Sequence, residues 1–250
     1  MGFLAATNPW TALLDNPGFN LRVIIDHLPM LLDGALLTVR LTTISVFFGI
    51  IIGTFVGMGR LSRHVVTRKF CGFYVDFIRG TPLLVQIFLV YMGVPQVVQF
   101  LGGALLHRSD FTFIIPPVIA GLLALSINSG AYVAEIVRAG IQSIDKGQTE
   151  AAVSLGLSHR QKMQYVILPQ AFRRIVPPLG NEFIAMLKDS SLVSAIALEE
   201  LVRRGQMVIT RTFRPFEIWI SVALIYLAMT MLISWLVRWS EKKLKVGETH

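Results

Sequence analysis

Cysteine is almost missing: Cys71 is the only one in 250 residues, so no disulfide can close within the chain. Charge is scarce as well, at 15% of residues, and acids are the scarcer sign, 15 against 23 Lys and Arg. No Gly-x4-Gly-Lys-Ser/Thr phosphate cradle occurs, so the chain carries no ATPase site of that class. There is no His-Glu-x-x-His pair, no nucleophile-elbow serine and no zinc-ligand spacing. An enzymatic reading therefore has no residues to carry it. The stretch 1–20 has no Lys or Arg and is interrupted by Pro9 and Pro17. It lacks the basic start and compact apolar core of a secretory signal. Residues 1–27 are expected to be an extracytoplasmic tail retained in the mature chain.

Apolar residues are abundant. They make up 54% of the chain, and the mean hydropathy is +0.63, too high for a soluble domain of this length. A spanning helix needs about 20 mostly apolar residues. The windows 41–59, 80–106, 111–134 and 218–237 meet that with no charge inside. A further window, 183–202, is weakened by Lys188 and Asp189 at its start and Glu199 and Glu200 at its end. The expectation is an all-α polytopic membrane protein with five spans, the fourth in chain order being the weakest.

Basic residues orient these spans. Arg60, Arg63, Arg68 and Lys69 crowd the first connection, around His64. Lys146, Arg160, Lys162, Arg173 and Arg174 fill the long middle one, and Arg238, Lys242, Lys243 and Lys245 make the tail basic. Five spans put these three regions on one side, the cytoplasm, with the N-terminus outside and the C-terminal tail 241–250 inside. The connection 107–110 carries one arginine and fits the outer face. Arg203, Arg204, Arg211 and Arg214 disagree, since they fall on the outer side; a local role such as docking an acidic partner would account for them. The net charge of +8 is explained by loops facing anionic membrane lipid. No basic and aromatic groove points to nucleic acid.

The middle connection, about 140–182, has its own design. Ser143 to Gln148 is turn-forming, and a short helix is expected from Thr149 through Glu150, Ala151 and Ala152. A glutamate at a helix start is favoured by the dipole, and alanine adds propensity without bulk. Gly156 can take the left-handed conformation that ends the helix. Ser158 is a good N-cap for a second helix running to Ile167, and Pro169 marks a break. A helical hairpin with small side chains on its first arm suits insertion into a groove on another protein.

Glu150-Ala151-Ala152, then Gly156, then Val166-Ile167-Leu168-Pro169 resembles the coupling (EAA) loop of ABC importer permeases; Val166 stands where that pattern usually has Ile. The resemblance widens to 128–138, to Leu168-Pro169-Gln170-Ala171, to Pro177-Pro178, to Lys188-Asp189-Ser190-Ser191-Leu192 and to 77–84. Over about 28–240 the chain is similar to permeases for polar amino acids, the histidine/glutamine/cystine-type branch of type I ABC importers. Ser190 stands where relatives more often have Thr. The resemblance implies the type I importer permease fold, with five transmembrane helices and a cytoplasmic coupling hairpin, in the bacterial inner membrane. It also implies a second permease subunit (the same chain or a paralogue), ABC ATPase subunits, an extracytoplasmic solute-binding protein and an amino acid substrate. ATP and Mg would sit on the ATPase partner, with no cofactor or metal in this chain. The coupling residues it implies are Glu150, Ala151, Ala152, Gly156, Leu168 and Pro169. The 77–95 and 210–213 stretches are most similar to cystine-type permeases.

Polar groups within spans usually face a protein interior or a wet cavity. Asn128, Tyr132 and Glu135 are spaced to share one helix face. Asp189 is the candidate for a substrate ammonium, with Ser190, Ser191 and Asn128 as hydrogen-bonding neighbours. Asp189 can instead neutralise Lys188 or Arg138, and Glu135 can pair with Arg138. Gln86 can line the same path or bond two helices together. Arg79-Gly80-Thr81-Pro82 reads as a gating discontinuity or as a plain helix entry. Gly49, Gly53 and Gly57 form a small-residue ladder for close helix packing, and Trp10, Trp219, Trp235 and Trp239 suit the membrane interface. An ion-coupled secondary transporter needs buried acids in several spans and often internal repeats; no repeat is present. A membrane-embedded regulatory subunit without a pathway is the other alternative.

Overall fold

The computed structural model describes residues 18–106 and 112–245. The expected tail up to residue 17 (with Trp10), the outer connection 107–110 and the last five residues lie outside the described residues. Helix α1 (Leu21–Arg60) is followed by α2 (Val65–Arg79) and α3 (Leu83–Phe88). A π-turn (Leu89–Gly93) joins α3 to α4 (Val94–Leu106), and α5 (Pro117–Gln142) follows. Next come α6 (Lys146–Ser154), α7 (His159–Lys162), a second π-turn (Met163–Ile167) and α8 (Leu168–Asp189). A 3-10 turn (Ser190–Ile196), α9 (Leu201–Thr212) and α10 (Pro215–Lys245) complete the described chain.

Among the described residues, four stretches are long and apolar enough to cross a membrane: Leu21–Arg60, Leu83–Gly102, Pro117–Gln142 and Pro215–Ser240. The first starts well before the charge-free window 41–59. Asn20 caps it by accepting a hydrogen bond from the Val23 amide (3.3 Å), so the helix takes up 21–27, which had been expected in the tail.

The expected fourth span, 183–202, is not one helix, so the four candidate spans among the described residues do not confirm the count of five. Helix α8 stops at Asp189, Ala197 adopts a left-handed φ of 61°, and a new helix starts at Leu201. Glu200 explains the restart. Its buried carboxylate accepts from the amides of Val202 (3.0 Å) and Arg203 (2.8 Å) and from the Tyr226 hydroxyl (3.2 Å). This acid is an N-cap rather than a helix-interior residue.

Pro95 and Pro169 sit in the same local device. Each π-turn ends immediately before an X-Pro pair, Val94-Pro95 and Leu168-Pro169. Proline has no amide and its ring crowds the preceding turn. Widening that turn by one residue lets the helix continue. The break expected at Pro169 is thus a bulge, and α7, the π-turn and α8 run on without interruption.

Helix packing follows the glycines. A Cβ on Gly49, Gly53 or Gly57 would lie 2.7 Å from the Ser129 Cβ, 2.5 Å from the Val133 Cβ and 2.7 Å from the Ala134 carbonyl oxygen, respectively. The ladder therefore seats α1 directly on α5, at a distance no larger residue permits. Leu41, Ile87, Leu125, Met186 and Val193 belong to the main apolar core, which joins α1, α3, α5 and α8.

The molecule has two distinct ends. At the start of α1, the Asn20 amide bonds Glu217 (3.2 Å), and Gly34 lies against the Leu201 backbone. At its finish, about 60 Å away along a 40-residue helix, Arg60 reaches α5 near the hairpin. The four unexpected arginines belong to the first end. Arg204 pairs with Asp33 (3.3 Å) and approaches Glu199 (3.9 Å), while Arg214 pairs with Glu217 (3.4 Å). Acids from α1 and the neighbouring turns thus balance part of that cluster.

Candidate functional site: the 146–169 hairpin and the polar groups between the helices

The first arm of the hairpin begins three residues earlier than Thr149. Asp145 caps it, accepting from the Gly147 amide at 2.7 Å. Ala152 faces inward and is buried, while Glu150 and Ala151 are exposed. Gly156 has φ +74°, with nothing within 4 Å of a Cβ built there. The left-handed corner favours glycine for its backbone alone. Ser158 and Gln161 then form a reciprocal capping box (2.9 and 3.4 Å) that starts the second arm.

The hairpin is fastened to the bundle rather than loose. Ile144, Ile167 and Ala171 make a small buried cluster under it, with Met163 and Val166 packed against them. Gln170 bonds Gln148 across the arms (3.3 Å), and Arg174 of α8 donates to the Ser143 carbonyl. The first arm is thereby tied to α8 and to the end of α5. At the tip, Val153 and Leu155 are 57% and 81% exposed beside Glu150. Uncovered aliphatic side chains on a charged corner are the composition of a docking surface. Leu168 and Pro169 lie at the start of α8, on the exposed side of the second arm.

The polar residues between the helices fall into separate groups. Asn128 donates to the Gln86 side-chain oxygen (2.9 Å), and the Gln86 amide donates to the Ile78 carbonyl (2.7 Å) and to Thr81. This network ties α3 and the Arg79-Gly80-Thr81-Pro82 turn to α5. Ser190 is fully buried, donates to the Leu187 carbonyl (2.8 Å) and accepts from Thr42 (3.4 Å). Asp189 is exposed on this chain and Ser191 is half-buried. Ser191 and Lys188 line a cavity of about 530 Å³ with Trp219 and Tyr226.

Glu135 belongs to an ion cluster. Arg60 of α1 contacts it at 2.5 Å, and Arg138 bonds it from one turn on. If this is its role, removing either partner should cost what removing both costs. Glu135→Gln and Arg60→Gln should each lower the detergent melting point, with a coupling of about 1–3 kcal/mol in the double-mutant cycle. Strictly additive melting shifts would exclude the pair as a structural tie.

Sequence reasoning assigns no site role to Glu182 and places Arg79 only in a gating or helix-entry turn. Arg79 stacks over the Tyr132 ring, 5.1 Å from its centroid, and makes no ion pair among the described residues. With Glu135, Ser143 and Arg174 it lines an open cavity of about 500 Å³ between α2, α5 and α8. Glu182 lies within α8, only 9% exposed. It precedes Asp189 by seven residues, so the two acids share a helix face, and that spacing was the available signal.

The family of binding-protein-dependent transport system inner membrane components matches residues 45–246, across both the hairpin and these polar groups. The chain belongs to this family. It is a permease, not an enzyme. The glutamine transport system permease protein of Escherichia coli (strain K12) is 37% identical over 228 residues, 91% of this chain and 99% of that protein. The L-cystine transport system permease protein of Bacillus subtilis (strain 168) is 35% identical, covering 93% of this chain and 94% of its own length. Among solved structures, an amino acid ABC transporter crystallised with histidines superposes at a TM-score of 0.79 with 41% identity, over 88% of this permease and 96% of that chain. The methionine ABC transporter MetNI, in inward-facing conformations, superposes at 0.68 with 18% identity, covering 88% and 98% of the two chains, which speaks for the fold alone. Nothing in these comparisons supports the ion-coupled alternative.

Proposed function

We propose that this permease forms half of the membrane pathway of an importer for a polar amino acid. A separate ABC ATPase, carrying ATP and Mg, drives it through the 146–169 hairpin. The hairpin side is the cytoplasmic face of the bacterial inner membrane, and an extracytoplasmic solute-binding protein delivers substrate at the opposite end. A second permease subunit completes the pathway. The observation that carries the coupling role is the exposed Val153–Leu155 tip, braced on α5 and α8 by Arg174, Gln170 and the Ile144 cluster.

Along the pathway, Asp189 and Glu182 on one face of α8 supply negative charge for an ammonium. Arg79, whose guanidinium lies over the Tyr132 ring, offers its fork to a carboxylate. Ser191 adds a hydroxyl at the same level as Asp189. Asn128, Gln86 and Ser190 hold this frame in place through the bonds described above, and Glu135 ties its hairpin end.

The test is co-purification of the permease from native membranes with mass spectrometry of its companions, followed by uptake in proteoliposomes rebuilt from them. Recovery of a phosphate-loop ATPase and one or two permease species is expected. Asp189→Asn should leave that recovery unchanged and lower amino acid uptake at least about ten-fold. A permease isolated alone from membranes that preserve other complexes would remove the coupling role.

A further inference from the structure

Helix α2 presents three unlike faces. Val75 and Ile78 are buried against the bundle, and Cys71 lies against Gly59 of α1. Arg68, Asp76 and Arg79 lie on a polar face. Val66, Phe70, Phe73 and Phe77 fall at helical spacings 0, 4, 7 and 11, so they form one stripe. They are 81%, 73%, 68% and 50% exposed. Phe73 and Phe77 stack on each other, with centroids 5.8 Å apart. Around the N-terminal end of the helix stand Arg63, Arg68 and Lys69, with Arg68 on the polar face. All three are exposed, and none makes an ion pair among the described residues. The only acid on the helix is Asp76, which lies between Phe73 and Phe77 in the chain but on the polar face rather than on the stripe.

The order along the axis is cations first, then aromatics over the next two turns, about 10 Å from Phe70 to Phe77. That gradient matches a bilayer leaflet, where phosphate headgroups give way to acyl chains over a similar distance. The depth agrees. Arg60 and the Arg138 end of α5 meet at the hairpin side, while Gln86, just past the end of α2, bonds Asn128 midway along α5. The helix thus climbs obliquely from the membrane surface to the interior.

We propose that 63–69 is a binding site for the headgroups of anionic phospholipid in the leaflet on the hairpin side, with the Phe70–Phe73–Phe77 stripe seated in its acyl chains. The alternative occupant, the same stripe of a second permease copy, would bring Arg63, Arg68 and Lys69 towards their own symmetry mates. Like charges facing across such a contact oppose it. The identity of that leaflet as cytoplasmic rests on the function proposed above; the lipid chemistry does not.

Native mass spectrometry of the purified complex, titrated with phosphatidylglycerol or phosphatidylcholine, tests the site. Phosphatidylglycerol should be retained at least about ten-fold more tightly, because each headgroup-level cation contributes roughly five-fold. The triple change Arg63→Gln, Arg68→Gln, Lys69→Gln should abolish the preference, and Lys69→Gln alone, at an exposed position, should reduce it by about five-fold. Equal retention of the two lipids, or a preference that survives the triple change, overturns the proposal. So does a disulfide between permease copies at Phe73→Cys in a Cys71→Ser background. None of these readouts depends on which ATPase is recovered, so the lipid site and the coupling role stand or fall separately.

Discussion

Replacing Gly53 with leucine is expected to leave no correctly packed permease in the membrane. A Cβ at Gly53 would already lie 2.5 Å from the Val133 Cβ and 2.8 Å from the Ala134 amide nitrogen. The second contact is with backbone, which cannot rotate away as a side chain can. Overpacking a core costs about 1–3 kcal/mol even where side chains adjust. Here α1 and α5 must separate, and the gap runs along Gly49 and Gly57 as well. In a bilayer, where close van der Waals contact holds helices together, that separation removes the main attraction. The measurement is fluorescence-detected size exclusion of the solubilised variant beside Gly72→Ala, a position with nothing within 4 Å. Gly72→Ala should elute as wild type and Gly53→Leu as aggregate. A monodisperse Gly53→Leu peak with an unchanged melting point would mean that α1 and α5 are not held by this seam.

The second large effect belongs to the hairpin tip. Gly156→Asp keeps a residue type that tolerates left-handed backbone better than most, and open space surrounds the position. Its cost to folding is therefore about 1 kcal/mol or less. What changes is the surface: a carboxylate now projects beside Leu155, in the corner proposed above to dock on the ATPase. Glu150→Lys reverses a charge one turn away and also leaves the hairpin core of Ile144, Ile167 and Ala171 untouched. For both variants, insertion and melting should match wild type while ATPase recovery on co-purification falls at least about ten-fold, as burying an unpaired charge at a contact demands. Full ATPase recovery with normal uptake would take the tip out of the interface.

Much of this architecture was written in the sequence, and the exceptions have physical reasons. Charge-free windows found the stretches that became α1, α3 with α4, α5 and α10, because a bilayer imposes composition on every turn. The start of α1 was hidden, since Asp26, Asp33 and Arg40 dilute the apolar run of a helix that nevertheless continues from Leu21. In the weak fourth span, Glu200 was counted as an interruption, whereas its carboxylate starts a new helix. Pro169 was read as a stop, because a π-turn has no compositional signature. The hairpin spacing, by contrast, determines local geometry strongly enough that Gly156 turns and Ser158 caps where their chemistry predicts, whereas Asp145, expected within a turn, caps the first arm three residues early. Which polar groups meet was least legible. Gln86 and Asn128, or Glu135 and Arg60, are brought together by tertiary packing across gaps of 42 and 75 residues, and no local pattern encodes such a pairing.

The widened turn at Met163–Ile167 also determines a direction. An α-helix advances about 100° per residue, so one extra residue in a turn swings everything on its far side around the axis by that amount. Seen down α8, the direction in which α7 (His159–Lys162) faces is therefore set by this inserted residue. Pro169 guards the insertion, because its ring prevents the turn from tightening back to α-helical register. The proline that looks like a break is what holds the second arm at a fixed angle to the helix it continues into.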